Sequence, residues 1–239
     1  MKDKIEDLGY AELKFIQRED VFKFGTDAVL LASFIELHAG ERFVEFGTGS
    51  GIIPVLLSGR VKTEMIGIEI QETAALLAKE NMVLNELSHV KIIKGDVKEV
   101  AGKIEGHIDV IATNPPYDMV DAGQMSKKEH IRIARHEVQI TLEEIISQAA
   151  RLLKDGGRFY MIHKAERLVD ICSYMRRYKL EPKMLRLVAK KEGEAPIFLL
   201  IKGVKSAGKG IKLAAPLVLY HADGSYTPEL REIYHMEEA

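Results

Sequence analysis

The sequence predicts an α/β fold, doubly wound around a mostly parallel β-sheet, and three observations support this prediction. Apolar runs of strand length alternate with longer helical patterns along most of the chain. The apolar runs lack polar alternation, which is typical of strands that are covered on both faces. The chain has 239 residues, of which 46% are hydrophobic, so it can enclose a sizeable core.

In the first half of the chain, strands and helices are predicted to alternate one by one. The predicted elements are a helix at 27–37, a strand at 42–46, a helix at 52–58, a strand at 64–70, a helix at 72–86, and strands at 90–94 and 107–114. Thr26 is the expected N-cap of the first helix, because a threonine hydroxyl accepts well from first-turn N–H groups. Such alternation connects parallel strands through crossover helices.

In the second half, the alternation continues and then loosens. The predicted elements are a helix from about 142 to 153, a strand at 158–163, a helix at 165–178, and two β-like runs at 184–189 and 197–203. Thr141 and Glu144 have the spacing of a capping box at the start of the first of these helices. The last two runs are so close in sequence that we expect them to form an antiparallel hairpin at the sheet edge.

The composition excludes several classes of protein. One cysteine, Cys172, cannot form an internal disulfide or a cysteine zinc cluster, and we expect it to pack on an amphipathic helix. No apolar run approaches the ~20 residues that span a bilayer, and acidic residues near the N-terminus argue against a signal peptide. We therefore expect a cytoplasmic protein. We expect no metal, since His130 and His136 are poorly spaced for one helix face.

The net charge of −2 hides an asymmetry between the two halves of the chain. Residues 1–125 carry a net charge of −8, and residues 126–239 carry +6. The window 176–212 alone holds 11 basic and 3 acidic residues. A basic half is either the footprint of a polyanionic partner or a solvated face, and charge alone favours neither.

A glycine-rich loop, Glu45–Gly51, follows the first predicted strand. Its spacing, G-x-G-x-G, departs from the G-x-G-x-x-G of dinucleotide-binding folds. This argues against a pyrophosphate cradle and for a ligand without phosphates, such as S-adenosylmethionine (SAM), whose cationic end Glu45 could face. Gly47, Gly49 and Gly51 would let the backbone approach that ligand closely. The alternative is a turn that only connects strand to helix.

Acidic residues end the next two predicted strands. Glu69, followed by Ile70, can accept hydrogen bonds from ribose hydroxyls, as acids at this position do in nucleotide-binding folds. Asp96, followed by Val97, can accept from an adenine amino group. Each acid alone would more often be an ordinary surface residue. Three consecutive strand ends that carry a glycine loop and two acids together predict a nucleoside-shaped pocket.

The fourth strand ends in Asn114-Pro115-Pro116-Tyr117. Two prolines fix the backbone and remove two N–H donors, so the side-chain oxygen of Asn114 and the carbonyl of Pro115 remain as acceptors. Two acceptors suit an exocyclic or amide –NH2 group, whose lone pair they turn toward an electrophile. Tyr117 can stack on a planar group, which contributes roughly 1–3 kcal/mol for a nucleobase.

These residues resemble the class I SAM-dependent methyltransferases with an N-P-P-Y active site, which methylate planar amino or amide nitrogens. The resemblance implies a seven-stranded, Rossmann-like sheet. Three further segments resemble the bacterial tRNA1(Val) adenine-N6 methyltransferases, namely FGTDAVLL at 24–31, IARHE at 133–137, and Pro216 to Thr227. That family implies a target adenine directly 3′ of the anticodon, at position 37.

The resemblance also implies roles for the marked residues and an organisation for the chain. The cofactor, SAM, would contact Thr26, Glu45, Gly47, Gly49, Gly51, Glu69, Ile70, Asp96, Val97 and Asn114. Asn114, Pro115, Pro116 and Tyr117 would form the catalytic site. We expect a single domain, with an N-terminal arm at 1–25, a SAM-binding catalytic core at 26–203 and a C-terminal extension at 204–239, and we expect a monomer.

A tRNA partner would give the basic residues a role. Two groups are candidates for phosphate contacts, namely Lys127, Lys128, Arg132 and Arg135 after the catalytic loop, and Arg176, Arg177, Lys190 and Lys191 further on. Flipping a base out is least costly in an unpaired loop, and an anticodon loop meets that condition.

Three other functions remain open at this point. A release-factor glutamine methyltransferase shares N-P-P-Y, because an amide –NH2 poses the same problem, but such enzymes carry a helical N-terminal domain. An rRNA or DNA amino-methyltransferase is the second alternative. The third is a SAM-binding or nucleoside-binding module without catalysis, against which the intact N-P-P-Y motif argues.

Overall fold

The computed structural model describes residues 4–18, 21, 24–117 and 140–236. The strands are β1 (Lys4–Asp7), β2 (Lys14–Gln17), β3 (Phe43–Phe46), β4 (Met65–Glu69), β5 (Val90–Lys94), β6 (Ile108–Thr113), β7 (Leu153–Lys164), β8 (Leu180–Ala189), β9 (Phe198–Lys205), β10 (Lys212–Leu213) and β11 (Leu217–Val218). The helices are α1 (Thr26–Phe34), α2 (Ile52–Ser58), α3 (Glu72–Leu84), α4 (Val97–Val100), α5 (Leu142–Leu152), α6 (Leu168–Arg177) and α7 (Pro228–Ile233). Short 3-10 turns follow α4 and precede α6.

One large sheet organises the described part of the chain. Its strand order is β10-β8-β9-β7-β6-β3-β4-β5, and β11 also pairs with β8. Every pairing is parallel except those of β9, which runs antiparallel to both β7 and β8. The doubly wound, mostly parallel fold is therefore confirmed.

The sheet differs from the expected seven strands at its hairpin edge. The hairpin of β8 and β9 is present, and β9 lies between β7 and β8 because it pairs with both. Two strands of two residues each, β10 and β11, add to the outer side of β8 and bring the described sheet to nine strands. Both come from the C-terminal region, for which no strand is predicted from the sequence.

Helices cover both faces of the sheet, so consecutive strand residues enter opposite cores. Phe43 of β3 packs in a core that includes residues of α1, α2 and α3, such as Leu30. The next residue, Val44, packs in a second core with residues of α5 and α6, such as Ile145. Burial on both sides explains the uninterrupted apolar runs, because no strand residue of β3 or β4 faces water.

The N-terminal arm contains a two-stranded antiparallel hairpin, β1–β2, that packs on α3. Asn81 of α3 is fully buried, and its amide exchanges hydrogen bonds with the backbone of Ile16. The same side chain donates to the carbonyl of Ser50 in the glycine loop, at 3.0 Å. One buried amide thus ties the arm to the loop after β3.

Two helix ends test the capping predictions. The Thr141 capping box is confirmed, because its hydroxyl accepts from Glu144 N and the Glu144 carboxylate accepts from Thr141 N. The prediction for Thr26 is wrong, because Gly25 occupies the N-cap and Thr26 is the first helical residue. The same helix ends at Phe34 rather than at 37, since Ile35 is already extended.

Candidate active site at the carboxyl edge of the sheet

The marked loops meet at one edge of the sheet. Strands β4, β3 and β6 are neighbours and run parallel, so the loops after Glu69, Phe46 and Thr113 leave the sheet on the same side. From β3 the chain continues to β4, which lies on one side of β3 in the sheet, while β6 lies on the other side of β3. This reversal of strand order opens a crevice, where α/β sheets bind their ligands.

The glycine loop presents two of its three glycines to open space. Gly47 and Gly49 have positive φ values of 71° and 55°, and a side chain at either position would meet no atom within 4 Å. Gly51 is different, because a Cβ there would lie 2.9 Å from Met82 Cε and 3.3 Å from Ala78 Cβ. Gly51 therefore packs against α3 on the side where a side chain would stand, and its predicted contact with the ligand would be made by its backbone.

Glu69 holds the glycine loop from the neighbouring strand. Its Oε2 accepts from Gly49 N and its Oε1 from Gln71 N, both at 2.8 Å, and the residue is buried. A carboxylate offers about four acceptor positions, so two remain for ligand hydroxyls. Ile70, half-buried, follows directly at the bend.

Asp96 has a structural role that the sequence reasoning missed. It is the N-cap of the short helix α4, and its Oδ1 accepts from Lys98 N at 2.8 Å. Val97, the first residue of α4, packs against the second core. The half-exposed Asp96 carboxylate keeps acceptor capacity toward the crevice edge, where β5 ends.

Glu45 lies beneath the loop rather than in the open crevice. Only 2% of the residue is exposed, and its carboxyl group accepts a hydrogen bond from the Thr48 hydroxyl. Burial raises the pKa of Glu45 to about 8, the Thr48 hydrogen bond opposes this shift, and the nearby Glu69 charge adds to it. Without a cation beside it, Glu45 is therefore mostly protonated at neutral pH.

The Asn114 loop is anchored at the end of β6. The Thr113 hydroxyl donates to the carbonyl of Phe46 at 3.0 Å, which joins this loop to the start of the glycine loop. Pro115 is buried and Pro116 exposed. Asn114 and Tyr117 are half-buried and stand at the crevice, with the Tyr117 hydroxyl 3.1 Å from Asn114 Oδ1.

Asp27 of α1 completes this cluster, although the sequence reasoning did not select it. Its Oδ2 accepts from Asn114 Nδ2 at 3.1 Å and from the Tyr117 hydroxyl at 2.6 Å. Burial, followed by the Asp27 charge, raises the pKa of Tyr117 far above its usual value, so the phenol stays neutral. The signal lies in the segment Gly25-Thr26-Asp27, where an acidic residue directly follows the residue that is expected to cap the helix and to contact the cofactor.

Two rings support Tyr117. His163, at the end of β7, meets it edge-on at 5.6 Å between centroids, and Phe198 lies tilted at 5.3 Å. His163 is buried, and its Nδ1 accepts from Lys164 N. Burial, with a smaller contribution from Arg167, lowers the pKa of His163 to about 4, so an uncharged ring stands behind Tyr117.

Thr26, which is expected to contact the cofactor, forms a hydrogen bond with the C-terminal segment. The Thr26 hydroxyl accepts from the Tyr234 hydroxyl at 3.0 Å, which brings the C-terminal segment to the start of α1. Tyr234 lies beside Tyr226, and Tyr226 beside Tyr220, with ring centroids 5.8 and 5.6 Å apart. These tyrosines therefore lie near the Asn114 cluster.

The structure separates the later basic candidates into two places. Arg176 and Arg177 precede the amino end of β8 and pair with Glu181 and Glu143. Lys190 and Lys191 follow its carboxyl end, which lies at the same edge as Asn114 because β8 runs parallel to β6. Ten strand residues separate the pairs by about 30 Å. Lys127, Lys128, Arg132 and Arg135 lie outside the described residues.

The described residues include neither a candidate membrane-spanning helix nor a candidate metal cluster. No helix in the described ranges has the length and apolarity needed to cross a membrane. Within the same part of the chain, no group of three or more His, Cys, Asp or Glu side chains is arranged to hold a metal ion.

The fold and the crevice define a class I methyltransferase, whose cofactor is SAM. The chain belongs to the methyltransferase small domain family, whose profile matches residues 12–177.

Relatives match over most of the chain. A protein of Bacteroides fragilis is 28% identical over 219 residues, covering 89% of this chain and 90% of its own length. A protein of Porphyromonas gingivalis is 30% identical over 220 residues, covering 87% of this chain and 85% of its own. Both are named tRNA1(Val) (adenine(37)-N6)-methyltransferase. Among solved structures, a predicted O-methyltransferase from Agrobacterium tumefaciens matches with a TM-score of 0.70 at 20% identity, covering 87% of this chain and 95% of its own.

Proposed function

We propose that this chain transfers the methyl group of SAM to the exocyclic N6 of an adenine in the anticodon loop of tRNA, at position 37 of tRNA1(Val)-like substrates. One observation carries the proposal. Asn114 and the supported ring of Tyr117 stand side by side at the crevice, next to the open glycine loop. The names of relatives that match 87–89% of the chain supply the substrate.

The residues at the crevice suit SAM. Gly47 and Gly49 leave free space on the exposed side of their loop, and Glu69 retains two acceptor positions for ribose hydroxyls. Asp96 stands at the next strand end for the adenine. Glu45 lies below the loop, where a ligand ammonium would favour its ionised form. When bound, SAM supplies a methyl group that is already activated by its positive sulfur.

The chain itself contributes positioning. The Asn114 oxygen and the Pro115 carbonyl accept the two hydrogens of the target amino group, and Tyr117 stacks on the base. This leaves the nitrogen lone pair facing the methyl carbon. Bound SAM would supply the methyl group and keep the C–S electron pair on sulfur, and the methylated nitrogen would lose one proton to water. Correct placement of two reacting groups can supply several kcal/mol of the barrier reduction.

The electrostatics of the site agree with an uncharged acceptor. His163 is neutral because its pKa is about 4, and Tyr117 is neutral because its pKa is raised. Neither group therefore repels the positive charge that develops on the nitrogen. A planar, neutral base stacked on Tyr117 fits these surroundings.

RNA contacts are proposed for the edge that carries Asn114. Lys190 is exposed there, and Lys191 reaches the carbonyl of Ala222 in the C-terminal segment. A flexible loop bound at this edge would bring its phosphates to these lysines while one base enters the crevice. Arg176 and Arg177, at the other end of β8, would require a separate part of the tRNA. Such a protein would act as a monomer in the cytoplasm, where tRNA is found.

The proposal is tested with purified protein, labelled SAM and four acceptors, namely unmodified tRNA1(Val), the same tRNA with guanosine at position 37, ribosomal RNA and a release factor. N6-methyladenosine in the first tRNA alone supports the proposal. Label in a release-factor glutamine, in ribosomal RNA, or in the guanosine variant would refute the substrate. Asn114→Ala serves as the inactive control.

A further inference from the structure

We propose that Asp27 is a positioning residue of the methyl transfer, because its carboxylate determines which end of the Asn114 amide faces the target amino group. This inference rests on the proposed function and deepens it. It concerns a residue of α1, which is 87 positions away from Asn114 in sequence.

Both carboxylate oxygens of Asp27 accept hydrogen bonds from protein groups. Its Oδ2 accepts from both Asn114 Nδ2 and the Tyr117 hydroxyl, and its Oδ1 accepts from Ala28 N at 3.0 Å. Gly25 leaves room for the carboxylate, since a Cβ at that position would stand 2.5 Å from Asp27 Oδ1. The carboxylate is therefore held from the backbone side and can turn only by losing these bonds.

An asparagine amide is nearly symmetric in shape, so packing alone selects its orientation poorly. A carboxylate accepts hydrogen bonds but cannot donate them, and so it attracts the NH2 end of Asn114 and repels the oxygen end. The oxygen then lies on the side of Tyr117, the ring on which the base is proposed to stack. In the opposite orientation an NH2 group would face the substrate NH2, two donors without an acceptor between them.

Asp27 acts on Tyr117 through the same oxygen. The 2.6 Å bond directs the phenolic proton toward the carboxylate and fixes the plane of the ring between His163 and Phe198. One carboxylate thus orients both groups that would contact the base. It touches neither substrate nor cofactor in this scheme, so its effect falls on the rate of transfer rather than on SAM binding.

The substitution Asp27→Asn tests this role, since an asparagine at 27 can donate to the Asn114 oxygen and stabilise the flipped amide. The expected result is a fall of about 100-fold in the single-turnover rate at saturating SAM and tRNA, with a SAM dissociation constant unchanged within about threefold. Asp155→Asn, an exposed aspartate that accepts from Ser206, is the matched control and should retain the rate.

A reciprocal exchange separates orientation from folding. In the double variant Asp27→Asn with Asn114→Asp, residue 27 donates and residue 114 presents only acceptors, so the target amino group again meets an oxygen. We expect this variant to be at least about tenfold faster than Asp27→Asn alone. An Asp27→Asn rate equal to wild type, a parallel loss of SAM binding, or a double variant no faster than the single one would overturn the proposal.

A measurement without substrate distinguishes failure of this inference from failure of the proposed function. The side-chain amide NMR resonances of Asn114, identified by their loss in Asn114→Ala, should shift in Asp27→Asn and stay in place in Asp155→Asn. If wild type does not methylate tRNA, the proposed function fails while this contact can still be confirmed. If the Asn114 resonances do not respond to Asp27→Asn, the inference fails whatever the substrate is.

Discussion

Glu45→Gln should make the protein more stable at alkaline pH, although it alters a residue inside the candidate site. The wild-type carboxyl group is almost wholly buried, and burial raises its pKa from 4.5 to about 8. Glutamine has the same shape and can still accept from the Thr48 hydroxyl. The substitution therefore removes the ionisation and leaves the packing and the hydrogen bond in place.

The sign and size of the effect follow from proton linkage. Between the unfolded pKa of 4.5 and the folded pKa of about 8, the folded state binds more protons than the unfolded chain, so wild-type stability falls as the pH rises through this window. At 1.36 kcal/mol per pKa unit, the contribution of Glu45 declines by about 4 kcal/mol from about pH 5 to about pH 9. The variant lacks this decline.

The assay is urea denaturation of both proteins across this pH range, with the difference in unfolding free energy plotted against pH. The variant should gain on wild type steadily up to about pH 8 and then level off. Two curves that stay parallel within about 0.5 kcal/mol would refute the argument, because they would show that Glu45 ionises in the folded state as it does in the unfolded chain.

Three further predictions address the cofactor, the RNA and the arm. SAM should bind more tightly as the pH rises toward about 8, as measured by calorimetry, and this dependence should vanish in Glu45→Gln if Glu45 faces the ligand ammonium. Lys190→Glu should weaken tRNA binding and lower the slope of log K against log salt by about 1, so methyl transfer should slow when tRNA is limiting. Arg177→Glu should leave the methyl-transfer rate unchanged under the same conditions. An equal fall in this rate in the two variants would contradict the separation along β8. Asn81→Ala should destabilise the fold by about 1–3 kcal/mol, because it leaves the carbonyl of Ser50 and the backbone of Ile16 without a buried partner. Asn85, one turn further along at the C-terminal cap of α3, makes the same kind of bonds to the backbone of Lys14, but these bonds are exposed, so a thermal shift of Asn81→Ala equal to that of Asn85→Ala would argue against this.

The sequence predicted the fold class well because local patterns encode it. Strands buried on both faces are short apolar runs, and helices between them carry their own start signals, as at Thr141. Once the sheet is parallel, the ends of consecutive strands must share an edge. For that reason Gly49, Glu69 and Asn114 could be assigned to one crevice without any knowledge of side-chain contacts.

The sequence reasoning was less successful where a residue type fits two roles. Thr26 was expected to cap α1, but Gly25 holds the cap. The Thr26 hydroxyl bonds to Tyr234, a partner that the sequence does not reveal. Gly51 belongs to the glycine motif, yet it faces α3. Asp96 was selected for a ligand and also caps α4. The contacts of Thr26 and Gly51 depend on partners far away in sequence, whereas Asp96 caps the helix that directly follows it.

The sequence by itself determined the alternation of strands and helices, the edge at which the loops meet and the acceptor chemistry of Asn114. These properties depend on residue periodicity and on covalent structure, and both are determined by residues that are close in sequence. Only the tertiary structure decided that the Asp27 carboxylate accepts from Asn114, that Glu45 is buried beneath its loop, and that Lys190 rather than Arg177 lies at the crevice edge. These facts arise from how helices pack on the sheet and from where the chain returns to it, and such long-range contacts leave no periodic trace in the sequence.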